Sequence, residues 1–334
     1  MDPLRIGILG ASRIAPEGII QPASVTGDRL VAIAARDAGR AEAFAAEHTI
    51  ERVLSDYRAV IEDPEVEVLY NPLPNGLHGP WNTVAMNAGK HVLSEKPSAS
   101  NAAEARSVRA TQKATGVSFM EAFHYRYHPV MERMIELATS GELGTLEHVS
   151  VVMEFPLPDY ADPRWSFDLA GGALMDVGCY AVHGIRSLSL ALGGEPALES
   201  ASATIHEADD RVDAALSADL TLAGGVTAHF DSSFTVPEMT FTMKLHGSSG
   251  EAFAHNFCKA SLDDRVTVTR SGENTVEHHG AHSSYTYQLM AFAQHVRSGG
   301  VNLTDAEDAV TQAELIDACY TAAGLPLRPT LITS

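Results

Sequence analysis

The chain opens with short apolar runs separated by longer stretches of helical period. Arg5–Leu9, Leu30–Ala35, Val66–Asn71, His91–Ser94 and Val117–Glu121 are brief and rich in Val, Ile and Leu, the pattern of strands buried on both faces. Between them Ala38–Glu47, Leu77–Ala88 and Ala102–Ala114 repeat every 3.6 residues, and Gly89 and Gly116 stand where such helices end. This alternation predicts a parallel βαβ sheet with right-handed crossovers. Beyond about residue 145 the texture changes to longer strands and hairpins. Leu146–Phe155, Ala215–Leu222, Val226–Asp231, Thr240–His246 and Arg265–Thr269 read as strands, with Gly224-Gly225 as a turn between the second and third. Tyr285–Arg297 and Asp305–Ala322 read as closing helices. The expected class is α/β, with a first domain of parallel βαβ units over 1–124 and a second α/β domain over 125–334, hinged near 122–130.

Length supports this division, because 334 residues exceed what one core usually serves. With 43 acidic against 23 basic residues the net charge is −20, which disfavours nucleic acid and anionic membranes and points to a small-molecule partner. Cys179, Cys258 and Cys319 are odd in number and widely spaced, unlike a disulfide scaffold, so a reducing cytoplasm is expected. No apolar run approaches the ~20 residues of a membrane span. The four residues before Arg5 leave no room for an export signal, which is a further expectation of a cytoplasmic protein.

The first predicted strand ends in Gly10-Ala-Ser-Arg-Ile-Ala15, a near relative of GxGxxG/A with Gly10, Ser12 and Ala15 in the three key places. Gly10 permits a tight turn. A small residue at Ser12 lets a pyrophosphate lie against backbone N–H groups, and Ala15 lets the following helix pack closely. Gly10, Ala11, Ser12, Arg13 and Ile14 are therefore candidate cofactor contacts. At the tip of the second strand, where enzymes selective for NAD place Asp or Glu, stands Ala35, followed by Arg36. Arg36, with Arg40 and Arg13 close in sequence, suits a 2′-phosphate, so NADP is expected ahead of NAD. The open alternative is that Asp37 holds the ribose and Arg36 is solvated.

Four further stretches stand out: Tyr70-Asn-Pro-Leu-Pro-Asn-Gly-Leu-His78, His91-Val-Leu-Ser-Glu-Lys-Pro97, Glu121-Ala-Phe-His-Tyr-Arg-Tyr-His-Pro129 and Gly171-Gly-Ala-Leu-Met-Asp-Val-Gly-Cys-Tyr180. Together with the glycine turn they resemble the glucose-fructose oxidoreductase and inositol dehydrogenase family, Gfo/Idh/MocA, along nearly the whole chain. Many members carry His at the place of Tyr180 and Asp at that of His183. This chain is instead similar to the branch of dimeric dihydrodiol dehydrogenases and NADP-dependent xylose dehydrogenases. The resemblance implies a Rossmann domain, a C-terminal domain with a large, mostly antiparallel open sheet that mediates dimerisation or a higher homo-oligomer, and a tyrosine acid/base at Tyr180.

Hydride transfer between a secondary alcohol and nicotinamide needs one group to move the hydroxyl proton and another to stabilise the alkoxide. Lys96 and Tyr180 can supply both, since an ammonium near a phenol of pKa ~10 favours its ionised form. Pro74, Asn75, His78, Glu95 and Lys96 are further candidate cofactor contacts at the carboxyl ends of strands. Arg126, Arg164, Trp165, Asp176 and His183 join Lys96 and Tyr180 as candidate substrate contacts, with packing or helix capping as alternatives for several of them. Cys179 and His183 are spaced i, i+4, and His278, His279 and His282 cluster, but neither set supplies converging ligands, so no metal is expected. The expected substrate is a sugar, polyol or cyclic diol. Reduction of a keto or anhydro sugar, and a non-catalytic NADP sensor, are the alternatives.

Overall fold

The computed structural model describes residues 2–280 and 282–331; Met1, Ala281 and 332–334, which the expected domains include, lie outside them. The chain divides into two compact units. The first runs to Phe123 and takes in Tyr285–Ala313 and the segment from Pro329, while the second comprises His124–Ser284 and Glu314–Arg328.

In the first unit, β1 (Arg5–Leu9), β2 (Arg29–Ala34), β3 (Val68–Asn71), β4 (His91–Ser94) and β5 (Phe119–Glu121) form a parallel sheet in the order β2-β1-β3-β4-β5. β3 starts two residues later than its apolar run suggests. Val66 is still in a turn, donating its N–H to the Asp63 carbonyl at 3.2 Å. Helices α1 (Gln21–Thr26), α2 (Ala38–His48), α3 (Tyr57–Glu62), α4 (His78–Asn87) and α5 (Ala102–Thr115) fill the connections. The sequence pattern missed α3, because six residues are too few to show a period. Leu9, Val31, Val60, Leu69, Ala85, Val92 and Phe119 build the core.

The second domain was expected to run unbroken from residue 125, yet α8 (Ser284–Ser298) and the first part of α9 (Ala306–Ala322) cluster with the first unit. Four sets of contacts account for this. Ala306 and Ala309 join the core of Val31 and Phe119, and Val310 and Ala313 pack on Ala99, Ala102 and Ala105. Arg297 pairs with Glu67, and Thr304 Oγ1 donates to the Glu121 carbonyl at 2.7 Å. A helical period shows that one face is buried but not which sheet buries it.

In the second unit, β6 (Leu146–Glu154), β7 (Ala197–His206), β8 (Asp209–Thr221), β9 (Thr227–Ser233), β10 (Thr240–Gly247), β11 (Gly250–Ala254), β12 (Arg265–Arg270) and β13 (Glu273–His278) make one sheet, ordered β13-β12-β11-β10-β6-β9-β8-β7. Every neighbour pair is antiparallel except β6 with β9. The sheet extends beyond the predicted strands at both edges. β7 and β13 are mostly exposed and polar, so they lack the alternation by which a strand is read. α6 (Pro129–Thr139) and α7 (Cys179–Ala191) cover the sheet, and Cys179–Ser189 is buried throughout.

A buried ion pair braces this unit. Arg328 Nη2 donates to Asp213 Oδ1 at 2.6 Å with both side chains 0% exposed, and Tyr320 Oη donates to the same oxygen at 3.0 Å. Arg328 Nε reaches the Gly171 carbonyl at 2.6 Å, while Asp213 Oδ2 accepts from Leu174 N at 2.6 Å. A Cβ at Gly172, where φ is +127°, would collide with Asp213, so the glycine pair of the 171–180 motif lets backbone approach this ion pair.

Candidate active site

Within the first unit, Gly10 turns the chain off β1 at φ +88° and donates its N–H to the Ala34 carbonyl at 2.7 Å. Ser12 Oγ accepts from Ala15 N at 3.3 Å. The chain then forms a π-helical turn, Pro16–Ile20, before α1. Such turns concentrate at functional sites. A Cβ at Gly18, in that turn, would meet the Tyr70 hydroxyl, which donates to Glu95 Oε1 at 2.8 Å. Glycine there lets the turn lie against the end of β3. The amides of Ala11–Ile14 precede the first helical hydrogen bonds, where an anion is favoured.

At the tip of β2, Asp37 caps α2, accepting from Arg40 N at 2.7 Å. Arg40 Nη2 donates to the Ala11 carbonyl at 2.6 Å, tying α2 to the glycine turn. Arg36 is exposed, and both guanidinium groups act on Tyr57, which lies beside Gly10. Asp37 is therefore occupied with its helix, and two arginines flank the turn.

The stretch Val92–Ser100 is buried except for Lys96, which is half-exposed. The backbone around it is held from several sides. Glu121 Oε1 accepts from Ser98 N, and Glu104 Oε2 from Ser100 N, both at 2.5 Å. Asn82 Nδ2 donates to Ser94 Oγ at 2.8 Å and to the Ser98 carbonyl at 3.2 Å, and Asn82 Oδ1 accepts from Asn71 at 2.8 Å. The Lys96–Pro97 bond is cis. Half-exposed Pro74 and Asn75 begin the short 3₁₀ turn before α4.

His78 is buried, not surface-lining, with Nδ1 2.7 Å from the Pro97 carbonyl and Nε2 2.6 Å from the Leu73 carbonyl. Burial pushes its pKa down from 6.5 to about 4, against the pull of the two carbonyls. An unfolded chain thus binds a proton that the fold excludes, so stability is lost as pH falls from 6.5 to about 4. The shift corresponds to about 3 kcal/mol. Urea midpoints measured across this range should fall less steeply for His78→Gln than for the unsubstituted chain; equal slopes would reject the assignment.

Within the second unit, another π-helical turn, Leu174–Gly178, precedes α7 and delivers Tyr180 into its first turn. Tyr180 is 6% exposed. Its Oη lies 3.1 Å from His124 Nε2, and His124 Nδ1 lies 2.7 Å from Ser284 Oγ. Tyr125 packs edge to face on Tyr180, with centroids 5.9 Å apart, and its hydroxyl is 2.6 Å from His183 Nδ1. His183 is thus engaged with Tyr125.

Residues 4–123 match the oxidoreductase family with NAD-binding Rossmann fold, and residues 131–253 match the GFO/IDH/MocA C-terminal domain. The chain belongs to the Gfo/Idh/MocA oxidoreductase family. Among its Gfo/Idh/MocA relatives, D-xylose 1-dehydrogenase (NADP(+)) 2 of Haloferax volcanii is 36% identical over 96% of this chain and 97% of its own. Trans-1,2-dihydrobenzene-1,2-diol dehydrogenase of Mus musculus is 34% identical over 75% of this chain and 74% of its own. The crystal structure of KijD10, a 3-ketoreductase from Actinomadura kijaniata in complex with NADP and TDP-benzene, superposes with a TM-score of 0.87 at 30% identity, covering 96% of this chain and 98% of that one.

The other residues of the second unit predicted for the Gfo/Idh/MocA site have these partners and exposures. Arg164 pairs with Asp162 at 3.0 Å and with Asp176 at 3.3 Å, and Asp176 sits inside the π-helical turn, not at a helix cap. Trp165 is buried against His206 and Phe234, with Nε1 donating to the Leu157 carbonyl at 3.3 Å. Arg126 is half-exposed between buried neighbours. Cys179 Sγ donates to the Asp176 carbonyl at 3.5 Å, and among the described residues no three His, Cys, Asp or Glu side chains are grouped to hold a metal. Nor is any described helix long and apolar enough to cross a membrane. Sequence reasoning missed His124, Tyr125 and Ser284; the first two lie inside the Glu121–Pro129 motif, where they were the available signal.

Proposed function

We propose that this chain is an NADP-dependent oxidoreductase that moves a hydride between nicotinamide and a secondary hydroxyl or carbonyl of a sugar, polyol or cyclic diol, with Lys96 and Tyr180 as its catalytic groups. The observation that carries this reading is Lys96 as the single half-exposed side chain in a buried, backbone-anchored stretch at the end of a Rossmann strand. Relatives named for D-xylose and for a dihydrodiol support the substrate class.

The residues present fit the dinucleotide. The turn after Gly10 offers amides to a pyrophosphate, and Arg36 with Arg40 offers a guanidinium pair for a 2′-phosphate, while Asp37 is spent on capping α2. When bound, NADP supplies the hydride acceptor. Tyr180 exchanges the hydroxyl proton, and Lys96 orients the substrate oxygen and stabilises its developing charge. Reduction of a keto sugar is the same chemistry reversed, and the dTDP-3,4-didehydro-2,6-dideoxy-alpha-D-glucose 3-reductase of Actinomadura kijaniata, 31% identical over 96% of this chain, favours testing both directions.

Fluorescence titration with NADPH and NADH tests the cofactor assignment. The expected result is a preference for NADPH that drops by at least about tenfold in Arg36→Ala, the worth of one charge-assisted hydrogen bond. Equal affinities unchanged by the substitution would reject NADP. A panel of sugars and diols, with NADP and in reverse with NADPH, then identifies the substrate; no turnover in either direction would reject the oxidoreductase reading.

A further inference from the structure

We propose that His124 and Ser284 form a proton relay behind Tyr180, so that the phenol passes its own proton to His124 as it takes one from the substrate hydroxyl. This rests on the reading of Tyr180 as the acid/base group. Proton counting gives each hydrogen bond its direction. Ser284 has one hydroxyl proton and donates it to the Cys258 carbonyl at 3.4 Å. Its oxygen therefore faces His124 Nδ1, 2.7 Å away, as an acceptor, which places the imidazole proton on Nδ1. Nε2 is left with a lone pair 3.1 Å from Tyr180 Oη, so Tyr180 donates. His124 and Ser284 are 0% and 1% exposed, which keeps bulk water from replacing either partner.

The Tyr125 hydroxyl is paired with His183 at 2.6 Å, and the Tyr125 and His124 rings pack edge to face on Tyr180 at 5.9 and 5.6 Å. Ser284 fixes the tautomer of His124, and His124 aims the hydroxyl of Tyr180. Both are positioning residues, acting through the phenol.

The oxidative step balances as follows. The substrate O–H bond breaks, and its proton bonds to Tyr180 Oη. The Tyr180 O–H bond breaks, and that proton bonds to His124 Nε2, leaving an imidazolium. The freed O–H electron pair becomes the second bond of the carbonyl as the carbinol C–H pair leaves as hydride to NADP, which is reduced while the alcohol is oxidised. Once product departs, His124 returns its proton to Tyr180 Oη as the phenol passes the proton taken from substrate to water entering the emptied site, which resets both groups. No free phenolate is needed near neutral pH, where a phenol of pKa ~10 rarely ionises.

The test compares His124→Phe and Ser284→Ala with the unsubstituted enzyme in substrate oxidation, measuring kcat and KM across pH, and NADPH affinity by fluorescence. In His124→Phe, kcat is expected to fall by about 10²-fold with KM and NADPH affinity unchanged, the loss of one proton-transfer partner. The pH of half-maximal rate should move upward, toward the ionisation of a lone phenol at ~10. Ser284→Ala should cost about tenfold in kcat, one hydrogen bond's worth, with the same direction of shift. An unmoved pH profile in His124→Phe, or a loss confined to KM, overturns the relay. Should His124→Phe fail to fold, Ser284→Ala decides: wild-type kcat and profile overturn the proposal. Failure of the underlying reading looks different, because the unsubstituted enzyme would then neither bind NADPH nor turn over any substrate of the panel.

Discussion

Tyr180→Phe should lower kcat by roughly 10³-fold while leaving KM within a small factor, since a phenyl ring keeps the packing and loses only the proton-transferring oxygen. The substitution removes an interaction that matters in the transition state. Three decades correspond to about 4 kcal/mol of barrier, within what acid–base catalysis and a positioned charge supply together. Lys96→Ala should fall comparably, and the double variant should fall little further than either single change, because groups that act as a unit do not contribute additively. Steady-state kinetics of the three variants on the substrate found by the panel check this. A decrease below tenfold in Tyr180→Phe would remove the tyrosine from the chemistry. A double variant as poor as the product of the single losses would instead mean that the two groups act independently.

The second large effect concerns stability. Arg328→Leu leaves Asp213 buried with its charge uncompensated, and breaking a buried pair from one side costs about 3 to 5 kcal/mol. Burial already pushes the Asp213 carboxyl up, against the guanidinium's influence, so losing the arginine removes what favours its ionised form. Replacing both partners, as Asp213→Asn with Arg328→Leu, should recover part of the loss, since no unpaired charge remains. Chemical denaturation of the two variants measures the difference. A single variant within about 1 kcal/mol of the unsubstituted chain, typical of an exposed pair, would show that the pair contributes no more than a surface one.

How much of this was legible in advance depended on whether the cause was local. The five parallel strands and the glycine turn were readable because a doubly buried strand needs a continuous apolar run and Gly10 marks a turn at positive φ. Arg36 was readable as a cofactor candidate, but the position of Asp37 was not, since helix capping and ribose binding both use an acidic residue at that point. Edge strands β7 and β13 escaped because hydrogen-bonded backbone needs no apolar side chain at a sheet margin. His124 and Ser284 stand 160 positions apart, and no spacing rule connects residues that the topology alone brings together. His78 looked like a ligand-facing residue because polar groups at strand ends usually are, whereas its ring bridges two carbonyls inside the fold. Arg328, close to the end of the sequence, carried no motif, and its importance comes from the buried carboxylate it neutralises.

The anchored stretch around Lys96 has a consequence for anyone who maps function by exhaustive mutagenesis. Asn82, Glu104 and Glu121 hold the backbone just after the lysine, at Ser98 and Ser100, through buried hydrogen bonds, so their substitution should displace the ammonium without touching substrate. A growth or turnover screen would score them alongside the reacting groups and draw an active centre several residues too wide. Dead variants at those positions report on the mounting of the lysine. Directed evolution toward a new sugar would do better to leave them alone and vary the side chains that face the ligand.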